Sequence, residues 1–266
     1  MRFHFRKFSL ALSIQLVLLA GGLAFLQTPR VLLAQGIPQT WEAKEYKPPA
    51  GIGAPTRTEP GGTRSPVDSC PVNGKALKAL VPSNNFGTTV AAYPTFFVYM
   101  PASSSGTTLP VEFVLEDIED NPIYKTTFDS SGKSGIITLS LPTEVGLAPL
   151  KVGQDYKWSF SVMCQSNERS KDLVVEGWVR RVELDPRLAT QLAQASPEQQ
   201  VDLYSDAEIW HDALAKLVEQ RRNNPGDSKV ANQWVKLLNA ANLSDLIQES
   251  LVSDLTTPEE LLSSSY

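Results

Sequence analysis

Histidine is almost missing from this chain of 266 residues. His4 and His211 are the only two, and His4 sits in the first few residues. A Ser-His-Asp arrangement would have to recruit His211 alone, and no G-x-S-x-G turn accompanies it. His211-Asp212 lacks the second histidine of a zinc-protease helix. Cysteine is equally scarce, with Cys70 and Cys164 the only pair, so no four-thiolate metal site can form. Glycine-rich phosphate loops are absent: Gly51-Ile52-Gly53 and Gly61-Gly62 stand in a proline-rich stretch, not between a strand and a helix. Past Leu26 no apolar run is long enough to span a bilayer. A basic excess is missing too. Removing the four basic residues of positions 1–34 from the total of 24 leaves 20 against 29 acidic residues, a formal charge of −9. Such a surface repels phosphate backbones, which excludes non-specific nucleic-acid binding.

What is present begins at the N-terminus. MRFHFRK is a basic segment, and Phe8 to Leu26 is an apolar run. Residues 1–34 therefore read as a signal peptide, with Ala34 as the processing residue, or as an uncleaved anchor. Either way this segment engages the membrane during export, and the rest of the chain is expected in the periplasm or cell envelope. An oxidising compartment permits a Cys70–Cys164 disulfide, two separate thiols being the alternative.

Residues 35–66 hold six prolines and five glycines and bury too little apolar surface to offset their ordering entropy, so they read as a disordered tether. From Val67 to Leu184 the pattern becomes one of short β-branched and aromatic runs between turn residues. The runs at 93–100, 109–118, 122–128, 135–141, 155–163 and 173–184 are candidate strands, with a shorter one near KALKALVP. In the fifth, Tyr156, Trp158, Phe160, Val162 and Cys164 alternate with polar residues, which marks one buried face. No helix intervenes, which points to an antiparallel immunoglobulin/fibronectin-like β-sandwich. Tyr156 matches the tyrosine that ties the start of the sixth strand to its corner in such domains. Its ring and that of Trp158 are read as structural.

After Leu184 the period changes from 2 to 3.6. Asp185-Pro186 caps a short helix to Gln194, and Ser196-Pro197-Glu198-Gln199 opens a longer one to Arg221. A further helix spans 228–241, and Ser244 caps a last one to Leu251. The two long helices should pair as a hairpin, so the fold class is mainly β with an α-helical C-terminal appendage over 185–252. Residues 253–266 read as a flexible tail.

Candidate sites are few, and none is catalytic; the balance leans away from an enzyme. Glu116, Asp117, Glu119 and Asp120 crowd a hairpin turn and offer oxygen ligands to Ca²⁺, although the spacing is not that of an EF-hand and a solvated turn serves equally. No other cofactor is implied. Trp41 and Tyr46 in the tether and Trp178 in the last strand are candidate aromatic platforms. Alternation sets Trp178 and Arg180 on one face, the arrangement of a stacked recognition patch, while the plainer and preferred reading puts Trp178 in the core with an arginine at the strand end paired to a glutamate. Trp210 and Trp234 mark the apolar faces of the long helices and complete the binding candidates.

GGTRSPVDSCP (61–71), LKALVP (77–82), YPTFFVYMP (93–101), VEFVLEDIEDNPIYKT and GIITLSLP together resemble one known family. So do the Gly-x-x-Tyr-x-Trp stretch ending at Cys164, EGWVRRV and SDAEIWHDALAKL. The family is the domain-of-unknown-function 928 family, found chiefly in cyanobacterial exported proteins. The resemblance spans about residues 61–250 and implies an address rather than an activity. Both cysteines fall in matching motifs, which favours their pairing. The expected function is a non-catalytic envelope module binding a partner protein. A carbohydrate-binding or carbohydrate-cleaving protein and a calcium-dependent adhesion domain are the alternatives.

Overall fold

The computed structural model describes residues 37, 38, 41, 70–143, 146–165 and 167–252. The segment read as an export signal, most of the proline-rich stretch, Tyr46 and the residues from 253 lie outside these. The strands are β1 (Val72–Asn73), β2 (Lys78–Ala79), β3 (Phe86–Thr89), β4 (Thr95–Met100), β5 (Ala102–Ser103), β6 (Pro110–Glu116), β7 (Pro122–Asp129), β8 (Gly135–Ser140), β9 (Asp155–Val162) and β10 (Leu173–Arg181). They form a five-stranded sheet β3-β10-β9-β6-β7, a three-stranded sheet β2-β4-β8 and a small β1-β5 pair. Four helices follow: α1 (Pro186–Gln194), α2 (Pro197–Asp206), α3 (Trp210–Asn223) and α4 (Ser228–Ala240). The protein is thus mainly β with a C-terminal helical region.

One core lies between the two larger sheets. Phe96 and Val98 of β4 meet Phe113 of β6, Trp158 and Phe160 of β9 and Val179 of β10. Trp158 needs room that only glycine leaves: a Cβ on Gly177, its cross-strand partner, would lie 2.7 Å from the indole. A second core lies on the other side of β4 and β8. There Phe97, Tyr99 and Ile136 pack against Trp210, Leu214, Leu217, Trp234 and Leu238. Strand β4 is buried on both faces, which is why TFFVYM is an unbroken apolar run rather than an alternating one. The helices are therefore a third layer of the fold. Ile37 and Trp41 join that layer: Trp41 is buried, meets Trp210 edge-on at 5.0 Å between centroids, and donates its N–H to Ala240 O at 3.0 Å.

Three expectations need correction. The sheets are not wholly antiparallel, because β3 pairs parallel to β10, with Phe86 opposite Trp178. The helix expected from Ser196 to Arg221 is two helices. Glu208 takes φ 58°, and the N–H groups of Ile209 and Glu208 return to Tyr204 O and Ser205 O, closing α2 with a Schellman turn. The last helix is only a 3₁₀ turn at Ser244–Leu246, after which the chain runs extended beside β8. Two expected caps hold, Asp185 and Ser196, the latter in a full capping box with Gln199; Asp227 caps α4 as well, whereas Ser244 makes no side-chain cap.

Candidate functional site

Helix α3 is fixed by three consecutive side chains of its first turn. Trp210 Nε1 donates to Leu80 O (2.9 Å), His211 Nδ1 lies 3.1 Å from Thr95 O, and Asp212 Oδ2 accepts from Thr89 Oγ1 (2.7 Å) and Val90 N (3.1 Å). Gly87 makes this approach possible, since a Cβ there would lie 2.6 Å from His211 Nε2. Burial lowers the imidazole to about 4, against the hydrogen bond to Thr95, so the ring is neutral at pH 7. Burial likewise pushes the Asp212 carboxyl up, opposed by its Thr89 and Val90 donors. These groups seat a helix; the imidazole is sealed from solvent and the carboxylate is engaged by its donors.

Beyond that first turn, α3 lifts from the sheet and a cleft of about 370 Å³ opens. Its floor is Phe97 of β4 with Thr138 and Ser140 of β8; Tyr204 closes one end, and Lys216 and Arg222 stand on the α3 wall. The edge of β8 borders it. Ile136 N donates to Ser250 O (2.8 Å) and Val252 N to Ile136 O (2.9 Å), so Ile136 turns its main-chain groups away from β4. Alternation gives Thr138 and Ser140 the same outward direction. A parallel ladder would next bond Thr138 N to Val252 O. Arg222 takes that place, donating to Val252 O (3.1 Å) and Thr138 Oγ1 (2.9 Å). Among the described residues the ladder holds one bridge, and no strand covers Thr138–Ser140.

The residues singled out in the sequence are dispersed. Trp178 is buried on the β10 face turned away from the shared core, beside Phe86. Arg180 does share that face, but it stacks over Phe86 at 5.7 Å and forms a two-point ion pair with Asp155 at 2.6 and 2.7 Å. Trp210 and Trp234 are fully buried in the helical layer, and Trp234 Nε1 donates to Ile247 O at 3.0 Å. None of the three indoles is exposed to solvent. Trp41, read as an exposed platform, is likewise buried.

At the acidic turn, Asp117 accepts from the Asn121 side chain, Asn121 N and Glu119 N, and the first of these leads in holding it below the usual carboxylate range. Lys157 lies 4.0 Å from both Glu116 and Asp120. Glu119 receives only a 3.4 Å contact from Asn121. Among the described residues no three His, Cys, Asp or Glu side chains gather as metal ligands. Cys70 and Cys164 form a disulfide with Cα atoms 4.8 Å apart.

Sequence reasoning missed the cleft and, apart from it, strand β3 under the first turn of α3. FGTT reads as a turn because of its glycine and the preceding asparagines. The usable signal was the glycine itself, since glycine inside a strand marks a close approach. The edge of β8 had no signal, because nothing local says where a neighbouring strand ends.

A family model described as Domain of Unknown Function (DUF928) matches residues 59–251. A search of curated proteins finds no match to the chain.

Proposed function

From the premise that the chain belongs to the DUF928 family, we propose a non-catalytic interaction module of the cell envelope that binds an extended segment of a partner protein. The observation that carries this reading is the open edge of β8 beside the α3 cleft. An incoming strand gains main-chain hydrogen bonds from Thr138 and Ser140, while the cleft receives its alternate side chains. The basic and apolar N-terminal pattern and the disulfide support placement outside the cytoplasm. An immunoglobulin-like body is part of the proposal. It is supported by the two sheet orders around one core, by the parallel β3, and by Lys151 N donating to Tyr156 Oη at 2.8 Å two residues before Trp158. The disulfide departs from that plan, since it joins Cys70, ahead of the first strand, to Cys164, two residues past the end of β9.

Ser140→Pro tests the proposal. The ring replaces an outward amide hydrogen that bonds no described residue, so the fold tolerates it while strand addition is blocked. Tagged protein recovered from its native envelope should carry a stoichiometric partner that protects the Thr138 and Ser140 amides from exchange. Ser140→Pro should lose that partner with little change in Tm. A partner retained by the variant removes the β8 edge from consideration.

A further inference from the structure

A second groove lies on the other side of Arg222, about 520 Å³ in volume, between the C-terminal half of α3, α4 and the segment 247–251. Arg221 and Trp234 form its centre, the guanidinium carbon standing 4.7 Å over the indole ring. Arg221 is half-buried, and among the described residues no carboxylate faces it. Other arginines are served differently: the exposed Arg169 meets Glu112 and Asp172, the partly buried Arg180 meets Asp155, and the partly buried Arg181 meets the carbonyls of Val90 and Leu150. A guanidinium carries five donors in a planar fork that suits a carboxylate. Burial without an acceptor lowers the Arg221 pKa, so a bound anion relieves a cost already present in the free protein.

The surroundings define the ligand further. Among the described residues nothing acidic lines the groove. Its walls are Pro225, Ile247, Leu251 and Val235, one of only two large hydrophobic side chains that stand exposed among the described residues. Lys229 and Lys236 are the only charged residues within α4. In a chain with an acidic excess, this is a local cationic site with an apolar floor. We infer that the Arg221–Trp234 groove binds a partner segment in which a glutamate or aspartate stands beside leucine-like side chains, the carboxylate pairing with Arg221 and the aliphatic groups covering Val235 and Ile247. This site shares the interaction reading above but not the β8 edge.

The test is a titration of the full chain with two labelled peptides, one of repeating Glu-Leu-Leu and one of Gln-Leu-Leu, followed by fluorescence anisotropy at low and high salt. The Glu peptide should bind about tenfold more tightly, an increment typical of a charge-assisted hydrogen-bonded pair, with the advantage shrinking in salt. In Arg221→Gln the two peptides should bind alike. Equal affinities on the wild-type chain overturn the inference, as does a Glu preference that survives Arg221→Gln, or no binding of either peptide at millimolar concentration. The first of these readouts needs no variant, so a misfolded Arg221→Gln cannot rescue the idea. Binding that appears only after Asp254, Glu259 and Glu260 are made Asn, Gln and Gln would give the groove to the chain's own end and overturn the partner assignment. Ser140→Pro should leave both affinities unchanged, so the two readings fail separately.

Discussion

His211 is the residue whose chemistry most constrains the fold. Its ring is neutral because burial lowers it from the ordinary 6.5 to about 4. The unfolded chain binds that proton more readily, so the stability associated with the neutral ring is present above pH 6.5 and is lost as pH falls towards 4. The loss is roughly 3 kcal/mol over that window. Asp212 acts in the opposite sense. Burial raises its carboxyl, so its contribution is present below its unfolded value and is lost as pH rises through the folded one. Comparing the wild type with His211→Gln separates the two: the Tm difference between them should narrow steadily from pH 6.5 to 4. A difference constant with pH would show that the imidazole does not titrate with folding. Gly177 gives a second residue-scale prediction. Gly177→Ala sets a methyl 2.7 Å from the Trp158 indole in the shared core, and should cost about 1–3 kcal/mol in denaturant unfolding. Wild-type stability in that variant would mean that the indole has room to move.

Among the elements, the bounds of α1 and α4 were legible and the boundary between α2 and α3 was not. Caps are local: Asp227 accepts from Lys229 N at 2.7 Å and Val230 N at 3.4 Å, and the run that follows is amphipathic. Asp227→Ala should lower stability by about 1 kcal/mol by urea unfolding and leave the peptide and partner contacts intact. No loss would mean that water replaces the cap at no cost. The break between α2 and α3 is different. Leu203, Ala207 and Trp210 keep a helical spacing through it, and no glycine or proline announces it. The break is held by tertiary contact, with Thr88 Oγ1 donating to Glu208 O at 2.6 Å while Trp210, His211 and Asp212 bind the sheet. The two outer edges also differ. Strand β7 opens with Pro122 and carries Lys125, devices that discourage pairing, whereas β8 turns Thr138 and Ser140 towards a cleft.

As a whole, the molecule is two sheets and a helical layer stacked so that the three-stranded sheet is buried from both sides. A chain ended after Leu184 would expose Leu80, Phe97, Tyr99 and Ile136 together, and is expected to aggregate rather than fold. Its recovery as a soluble monomer with native near-UV circular dichroism would show the helices to be dispensable. The disulfide acts at the same scale. It links residues 94 apart in sequence, so reducing it releases roughly 4–5 kcal/mol of chain-entropy restraint on the unfolded state in the loop-closure model. The Tm should fall by on the order of 10 °C in reductant. An unchanged Tm would show that the bridge adds nothing to a fold already closed by its cores.

The sequence alone was enough to place six strands, the Asp185 and Ser196 caps and the family resemblance, and to favour the pairing of its only two cysteines. Each is written in local period, in capping chemistry or in composition. Only the tertiary structure decided that Trp41 is buried, that β3 is a strand, that one helix is two, and that no described strand covers the β8 edge over Thr138–Ser140. Those outcomes depend on which surfaces meet across long stretches of chain. An apolar side chain carries the same signature in a sequence whether it faces a partner or another layer of its own fold.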